Sequence, residues 1–505
     1  MTAPAPHDTD RPNVVSAQHK PTWRLTTKIT LSGYRFLKRR LRHAIVRGNT
    51  EMWDDPMRND ERDFNAGIVI TVIVVLACVL MAYLRPQGTA GGAQLLQDTA
   101  TGKLFVLEND GGLRPVYNLT SARLIIGQHQ MPRRVKPEEL AKHPLGQTAG
   151  IPGAPYDTPT VSATSSYWTV CDTVDKPASM SPAVVVSVLA DQPEYGLETS
   201  TKLSGAQALL AKFRGQTYLI DDTGRHLLDL ANTAVTTAIN LPPGSVAAPL
   251  SPAMFNALPA SDPLIVPLIG DAGAPNTIGL APDLVIGTVI TDSANPATRQ
   301  MYVVLADGLA KINPATAAAL RNTNNYNHVD PPIVPTDKIS AIAPRTYPSA
   351  LHEVTIIDRA TQPVLCWAWA KTGAASASPQ IAIAAGKQIP LPADKLNIKG
   401  KQITTGVRVY QTGAGRDGTN PTGRYVRVIN PTPQPENRFY IDTGGVRYGL
   451  PDPKAEKALG LSDPQLAPWP VVGLLAGGPN LTEENALLEH DTLPADPFPR
   501  LIKSK

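Results

Sequence analysis

The chain has 505 residues, of which 42% are hydrophobic and 18% charged, so it is long enough for two or three domains and too apolar for a disordered protein. Its formal net charge of +4 lies in residues 1–65, which hold 12 Lys and Arg against eight Asp and Glu. The charges of the remaining residues cancel, so composition gives no basis for nucleic-acid binding, and no nucleic-acid partner is expected.

The first predicted element is a basic amphipathic helix within Leu31–Val46. Apolar residues recur there at helical spacing, and basic residues fill the other faces. A helix of this kind lies on anionic lipid or docks on a partner protein, and a solvated helix without function is the alternative. The residues expected to make these contacts are Tyr34, Arg35, Phe36, Leu37, Arg39, Arg40, Leu41 and Arg42.

The second element is a transmembrane helix over Ala66–Leu84, a run of 19 residues without charge. At 1.5 Å per residue it spans about 28 Å, which is close to the thickness of a bilayer core. A buried core helix and a cleaved signal peptide are the alternatives, but the latter belongs in the first 15–30 residues or so. Because Lys and Arg crowd the preceding arm, we expect residues 1–65 in the cytosol and residues 85–505 outside it.

The exported part is predicted to be loop-rich, since the 49 prolines are about twice the usual share. Four segments repeat one pattern, in which an aromatic residue stands six residues before a turn glycine and a short helix follows. The glycine supplies the positive φ that a hairpin turn requires. These segments lie near 94–127, 207–240, 287–322 and 437–475, with turn glycines Gly111, Gly224, Gly308 and Gly445. Chance similarity of short hairpins is the alternative.

Between the third and fourth segments, residues 334–430 are rich in strands and predict a mainly antiparallel central sheet. Cys366 lies in this part and Cys171 lies between the first two segments. Both face an oxidising compartment in the expected topology, where a disulfide between them or two buried thiols are the alternatives. The predicted fold class is α+β: one transmembrane helix and an elongated β-rich domain of four hairpin–helix modules around the central sheet.

Motifs for catalysis are scarce. The nine histidines form no metal-binding motif, and no nucleophile elbow occurs. The sequence Gly418–Tyr425 has the glycine spacing of a phosphate-binding loop, but Arg424 and Tyr425 stand where Lys and Ser or Thr are required. We therefore expect a hairpin loop there, and a protein without catalytic, cofactor-binding or metal-binding residues.

Several long motifs resemble the EccB family, a core membrane component of the mycobacterial type VII (ESX) secretion system. The similarity runs from about residue 22 to the end and is most like the paralogue of the first-described ESX system. The segments that carry it are Thr30–Arg47, Met52–Arg58, Pro115–Leu124, Gly150–Tyr156, Cys171–Asp172, Met254–Pro259, Gly273–Asn276, Cys366–Trp367, Tyr440–Asp442, Gly445–Gly449 and Glu489–Pro494.

The resemblance implies a single-pass protein of the inner membrane, with a periplasmic domain of four repeats around a central domain and a disulfide at Cys171–Cys366. It implies a scaffold role in protein export, with EccC, EccD, EccE and the mycosin MycP as partners in a hexameric complex. Family members are sometimes named ATPases, although EccC carries the phosphate-binding loops. The repeats also resemble the cell-wall-binding modules of a phage lysin, so nucleotide hydrolysis and peptidoglycan binding are the alternative functions.

Overall fold

The computed structural model describes residues 28–48, 57–84, 89–160, 165–175, 183–373, 377–391, 401–404, 407–410, 422–429 and 438–493. The chain divides into two compact units, Met1–Gln87 and Gly88–Lys505. Helices dominate the described part of the first unit, whereas the second combines several β-sheets with short helices. The expected mixture of α and β structure is therefore present.

The first unit holds two helices, α1 (Lys28–Arg47) and α2 (Met57–Leu84). In α2 the stretch Asp63–Met81 has a mean hydropathy of 2.7 and none of it is buried, so by length and composition it is able to cross a membrane. The helix begins nine residues before the predicted span of Ala66–Leu84, because good helix formers such as Glu61 and Arg62 extend it into the polar flank.

Four small subdomains of the second unit share one order of elements. Each has three antiparallel strands, a helix, a segment parallel to the first strand, a short helix, and a segment parallel to the third strand. Subdomain 1 contains β1 (Leu95–Asp98), β2 (Leu104–Leu107), β3 (Leu113–Val116), α3 (Leu119–Ile126), β4 (Arg133–Val135) and α4 (Pro137–Leu140). Its final segment bridges Leu113 to Leu145 and Val116 to Ala149.

Subdomains 2 and 3 follow the same order. Subdomain 2 contains β8 (Gln207–Phe213), β9 (Gln216–Ile220), β10 (Arg225–Leu227), α5 (Thr233–Ala238), β11 (Ala248–Pro249) and α6 (Pro252–Ala257), and Ala260 bridges to Arg225. Subdomain 3 contains β12 (Val289–Thr291), β13 (Met301–Leu305), β14 (Gly308–Ile312), α7 (Pro314–Thr323), Ile333 bridged to Thr291, α8 (Thr336–Ser340) and β15 (Pro344–Arg345).

Subdomain 4 lies at the end of the described chain. It contains β21 (Arg424–Ile429), β22 (Arg438–Ile441), β23 (Val446–Gly449), α9 (Pro453–Leu459), β24 (Gln465–Pro468), α10 (Trp469–Val472) and β25 (Ala476–Gly477), followed by α11 (Glu483–Ala486). Its sheet begins at Arg424 rather than near the predicted 437, because β21 pairs with β22 and not with the central sheet.

An Asn or Asp side chain starts the main helix of every subdomain. Asn118, Asn232, Asn313 and Asp452 each accept a backbone N–H from the first turn of α3, α5, α7 and α9. Such a cap satisfies a donor that the helix itself leaves unpaired, and it contributes about 1 kcal/mol. The hairpin and its helix are therefore joined by the same local interaction four times.

The central sheet has seven strands in the order β19-β20-β6-β5-β17-β18-β7. Its pairs are antiparallel except for β20 with β6. The strands are β5 (Ser166–Asp175), β6 (Ala183–Leu189), β7 (Ser200–Lys202), β17 (Val364–Lys371), β18 (Gln380–Gly386), β19 (Lys401–Thr404) and β20 (Val407–Tyr410). The sheet was predicted from residues 334–430 alone, so β5–β7 were missed, since strand propensity does not reveal a distant pairing partner. The short β16 (Thr355–Ile356) pairs with β8 instead.

Hydrophobic cores join the subdomains in pairs. Leu124 of subdomain 1 packs in one cluster with Tyr440 and Leu459 of subdomain 4. Leu210 and Ile239 of subdomain 2 pack with Ala319 of subdomain 3. The largest cluster combines the central sheet with subdomains 2 and 4, and it includes Trp168, Met254, Trp367 and Val471. These contacts place the central sheet between the two pairs.

Candidate functional site

All eight residues predicted for docking lie on α1. At 100° per residue, Tyr34, Leu37 and Leu41 share one stripe, and their exposed fractions are 66%, 63% and 65%. Arg40 lies on one side of this stripe and Arg35 and Arg42 on the other, whereas Phe36 and Arg39 lie on the opposite face of the helix. The helix therefore presents an apolar stripe bordered by positive charge, which suits an anionic lipid surface or the groove of a partner protein.

Helix α2 carries apolar side chains in every direction. Every described side chain between Asp63 and Met81 is exposed, including Ile73, Leu76 and Cys78. By length and composition this stretch is able to cross a bilayer core.

Cys171 and Cys366 lie directly opposite each other on β5 and β17, and their sulfur atoms are bonded. Both residues are fully buried within the central sheet. The two residues are 195 positions apart, and the chain between them contains the whole of subdomains 2 and 3. The disulfide therefore joins the two ends of the chain segment that contains subdomains 2 and 3.

The turn glycines serve two different purposes. Gly111, Gly224 and Gly445 have positive φ values of 86°, 146° and 80°. Gly308 does not, and the expectation of a positive φ there was wrong. It is the first residue of β14, and a Cβ added to it would lie 2.3 Å from the carbonyl oxygen of Ala343, so close approach of the final segment requires a glycine.

Two buried charged residues, Asp172 and Arg359, were not among the predicted site residues. The Asp172 carboxylate is fully buried and accepts two hydrogen bonds from Ser251, at 2.8 Å from the backbone N–H and 2.6 Å from the hydroxyl. Burial raises the pKa of Asp172 despite these bonds and the nearby Arg359. Burial also lowers the pKa of Arg359 to about 10. These residues connect the central sheet, subdomain 2 and the loop before β17.

The segment that resembles a phosphate-binding loop is only partly described, since residues 418–421 lie outside the described residues. Gly423 donates its backbone N–H to Pro159 and packs against the ring of Tyr440. Arg424 and Tyr425 are buried in β21, where Arg424 pairs with Ile441. Burial lowers the pKa of Arg424, an effect that Asp191 partly offsets. The side chains of Arg424 and Tyr425 are therefore both buried in the protein core.

In the described ranges, no group of three or more His, Cys, Asp or Glu residues is arranged to hold a metal ion. The structure does bring together two histidines that are far apart in sequence: the rings of His226 and His352 lie 6.2 Å apart, and both approach the same carboxylate oxygen of Asp221. Neither Asp221 nor the histidines were predicted as site residues; the Asp–Asp–Thr–Gly turn at 221–224 is the one local signal that could have drawn attention to Asp221.

Comparison with known proteins identifies the protein family. Residues 23–495 match the family described as "Type VII secretion system ESX-1, transport TM domain B". A relative from Mycobacterium tuberculosis named "ESX-1 secretion system ATPase EccB1" is 45% identical over 482 residues, which cover 95% of this chain and 98% of the relative.

Solved structures agree with the sequence match. A chain of an intact ESX-5 inner membrane complex has a TM-score of 0.73 at 31% identity, covering 95% of this chain and 98% of its own. A chain of the periplasmic assembly from that complex gives 0.71 at 31% identity, with coverage of 83% and 99%. A chain of an EccB3 dimer from an ESX-3 core complex gives 0.69 at 31% identity, with coverage of 78% and 100%.

Proposed function

The chain belongs to the EccB family of type VII secretion systems, and from that premise we propose that it is a structural core subunit of an ESX-1-type inner membrane complex. In this role α2 (Met57–Leu84) anchors the protein, residues 1–65 lie in the cytosol, and residues 85–505 assemble in the periplasm to support protein export. The observation that carries the proposal is the apolar stretch of α2, whose described side chains are all exposed. The similar chains in ESX-5 and ESX-3 complexes support it.

The topology has a direct test. A reporter enzyme that is active only outside the cytosol, fused after Lys505, is expected to be active, and the same reporter fused before Lys28 is expected to be silent. The opposite pattern contradicts both the assigned orientation and the periplasmic assembly.

We further propose that the four subdomains are copies of one module. Their common order of strands, helices and parallel segments supports this, as do the Asn and Asp caps at the start of α3, α5, α7 and α9. The central sheet, closed by Cys171 and Cys366, then serves as the frame between two module pairs.

The proposed partners of α1 are the other membrane subunits, EccC, EccD and EccE, in a hexameric assembly with the mycosin MycP. The stripe of Tyr34, Leu37 and Leu41 and the flanking Arg35 and Arg42 would make the contact, either with a partner or with inner-membrane lipid. Charge introduced into the stripe should prevent docking, since a buried unpaired carboxylate costs several kcal/mol, about 3–5 in proteins.

The docking test compares two double variants of the full chain. In Leu37→Asp with Leu41→Asp, co-purification with tagged EccC and EccD is expected to be lost. The control Ile29→Asp with Val46→Asp changes two apolar residues outside the stripe that are at least as exposed as Leu37 and Leu41, and it should keep the complex intact. An intact complex with the stripe variant, at normal membrane levels, removes this role of α1.

The second candidate function is nucleotide hydrolysis, which the name of the M. tuberculosis relative favours. The buried positions of Arg424 and Tyr425 disfavour it. Purified full-length protein in detergent should therefore release no phosphate from ATP above the level of an Arg424→Ala control preparation. Hydrolysis of many ATP molecules per protein chain, abolished in this variant, would establish the protein as an ATPase instead.

Peptidoglycan contact is the third candidate and follows from the resemblance of the repeats to cell-wall-binding modules. Sedimentation of the purified protein with isolated cell walls tests it. Under the scaffold proposal the protein stays in the supernatant at physiological salt.

A further inference from the structure

A buried cluster of titratable groups lies at the turn between β9 and β10. The Asp221 side chain is 1% exposed, and its Oδ2 atom lies 3.0 Å from Nε2 of His226 and 3.3 Å from Nε2 of His352. Its Oδ1 atom accepts hydrogen bonds from the Thr223 hydroxyl, at 2.7 Å, and from the backbone N–H groups of Thr223 and Gly224. One carboxylate thus receives donors from its own turn and faces two imidazole rings.

The second ring nitrogen of each histidine also faces an oxygen. Nδ1 of His226 lies 2.7 Å from the Asp262 carbonyl, and Nδ1 of His352 lies 3.0 Å from the Ala350 carbonyl. A carbonyl oxygen only accepts, and so does an ionised carboxylate. Nε2 of His226 also lies 3.0 Å from the Thr223 hydroxyl, whose proton is donated to Oδ1 of Asp221, so this oxygen also faces the ring as an acceptor. A neutral imidazole has a single N–H, so one of its nitrogen lone pairs would face an acceptor oxygen. The surroundings of both rings therefore match the doubly protonated imidazolium.

The cluster joins two subdomains through the segment that leads from subdomain 3 to β16. Leu351 and Val354 of this segment are buried in the core between subdomains 2 and 3. The Val354 N–H bonds to Ile239, while the Asn313 side chain bonds to the Leu351 carbonyl. His352 points from this segment to Asp221, so its protonation bears directly on the contact between the segment and subdomain 2.

The charged groups that bear on the two rings are acidic. Burial lowers the pKa of His226, but the hydrogen bonds to Asp221 and to the Asp262 carbonyl, together with the charge of Asp221, outweigh it, and the pKa rises above its ordinary value. Hydrogen bonding to Asp221 raises the pKa of His352, with a smaller contribution from the charge of Asp222. Burial opposes ionisation of Asp221, yet the bonds from His226, His352 and Thr223 hold its pKa well below the usual range. The charge of His352 in turn lowers the pKa of His226, as the smallest of the contributions to that ring.

We propose that Asp221, His226 and His352 form a proton-dependent clasp that holds the 350–357 segment against subdomain 2 in mildly acidic conditions and releases it as the pH rises. His352 is the group that leaves, because its side chain is 33% exposed whereas that of His226 is 6% exposed. The clasp goes beyond the scaffold role, since it makes the contact between subdomains 2 and 3 responsive to periplasmic pH.

The sign of the effect follows from the two protonation states. Both histidines bind protons more tightly in the closed clasp than when free, so their stabilisation is complete below the ordinary histidine pKa of about 6.5 and is lost as the pH rises through the raised values. Asp221 stays ionised throughout this range, because its pKa is lowered. The clasp is therefore closed at about pH 5.5 and weakened at about pH 8.5.

Hydrogen exchange of the full chain in detergent provides the test. The amides of Val354, Thr355 and Ile357 donate to Ile239, Ala206 and Ala208, so they report directly on this segment. After correction for the intrinsic rate, their protection is expected to fall from about pH 5.5 to about pH 8.5 by about tenfold for each unit of raised histidine pKa.

Two variants complete the experiment. His352→Gln keeps a polar side chain at a partly exposed position and should lose the pH dependence of these amides. His328→Gln removes a half-buried histidine outside the cluster, whose ring lies 3.3 Å from the Asp283 carbonyl, and it should retain the wild-type profile. A flat wild-type profile, or an unchanged profile in His352→Gln, overturns the clasp. Equal loss of protection throughout the chain in all three proteins also overturns it, since it reports global unfolding.

Discussion

The Asp172 carboxylate binds both the backbone N–H and the hydroxyl of Ser251, the residue that precedes helix α6. The same hydroxyl accepts the N–H of Met254, so Ser251 caps α6 while it is held by the central sheet. A single buried carboxyl group thus positions a helix of subdomain 2 whose Met254 lies in the largest core cluster. Through this contact the central sheet orients the subdomain next to it.

Asp172→Ala is expected to destabilise the fold by about 3–5 kcal/mol, because it leaves the buried Ser251 donors and the Arg359 guanidinium without their acceptor and counter-charge. Asp172→Asn should cost less, since its amide oxygen still accepts from Ser251. Urea unfolding followed by tryptophan fluorescence measures both. The control Asp175→Ala changes an exposed carboxylate of the same strand and should stay within about 0.5 kcal/mol. Equal effects at both positions contradict this role of Asp172.

Cys366→Ala is expected to lower the free energy of unfolding by up to about 5 kcal/mol, because the bridge restricts a long loop of the unfolded chain. Mass spectrometry of unreduced, denatured protein should find Cys171 and Cys366 linked and Cys78 free. Cys78→Ala, in the exposed surface of α2, is the matched control and leaves stability unchanged. Labelling of all three thiols without reductant means that the two buried cysteines are not bonded in the cell.

The two kinds of turn glycine predict different costs for alanine. Gly308→Ala places a methyl group against the Ala343 carbonyl and should cost about 3 kcal/mol. Gly111→Ala meets no atom within 4 Å but must adopt a positive φ, at a cost of about 1 kcal/mol. Gly270 has open space and no positive φ, so its substitution should be nearly neutral. Thermal unfolding of the three variants tests this order, and a larger loss in Gly111→Ala than in Gly308→Ala contradicts it.

Leu76→Arg puts a charge near the middle of the apolar stretch of α2 and should weaken membrane insertion by about 2.5–3.5 kcal/mol. The expected result is a larger fraction of the protein extracted by alkaline carbonate. Phe64→Arg, near the start of the same stretch, is the control, because a long side chain there reaches the interface. If both variants remain equally resistant to extraction, the stretch does not cross the membrane.

The sequence predicted those features that depend on interactions between neighbouring residues. The amphipathic spacing of Tyr34, Leu37 and Leu41 predicted a helix, and α1 is one. The uncharged run at Ala66–Leu84 lies within α2, and the family motifs identified the EccB family, which the comparisons confirm. Helical periodicity, apolar length and contiguous motifs are all properties of neighbouring residues, which explains why they are visible in one sequence.

Distant pairing was not readable in the same way. The strands around Cys171 and Cys366 have similar composition to those of the subdomains, and only the register of β5 with β17 joined them in one sheet. The prediction that Tyr425 belongs to the central part failed for this reason, since β21 pairs with β22.

By itself, the sequence determined one apolar helix after a basic arm, the family, and the local turn and helix signals of the β-rich part. Only the tertiary structure decided which strands form the central sheet, that Gly308 is required by a neighbouring backbone, and that His226, His352 and Asp221 meet. The physical reason is that periodicity and capping act within a few residues, whereas pairing, close approach and burial of charge depend on segments that folding brings together.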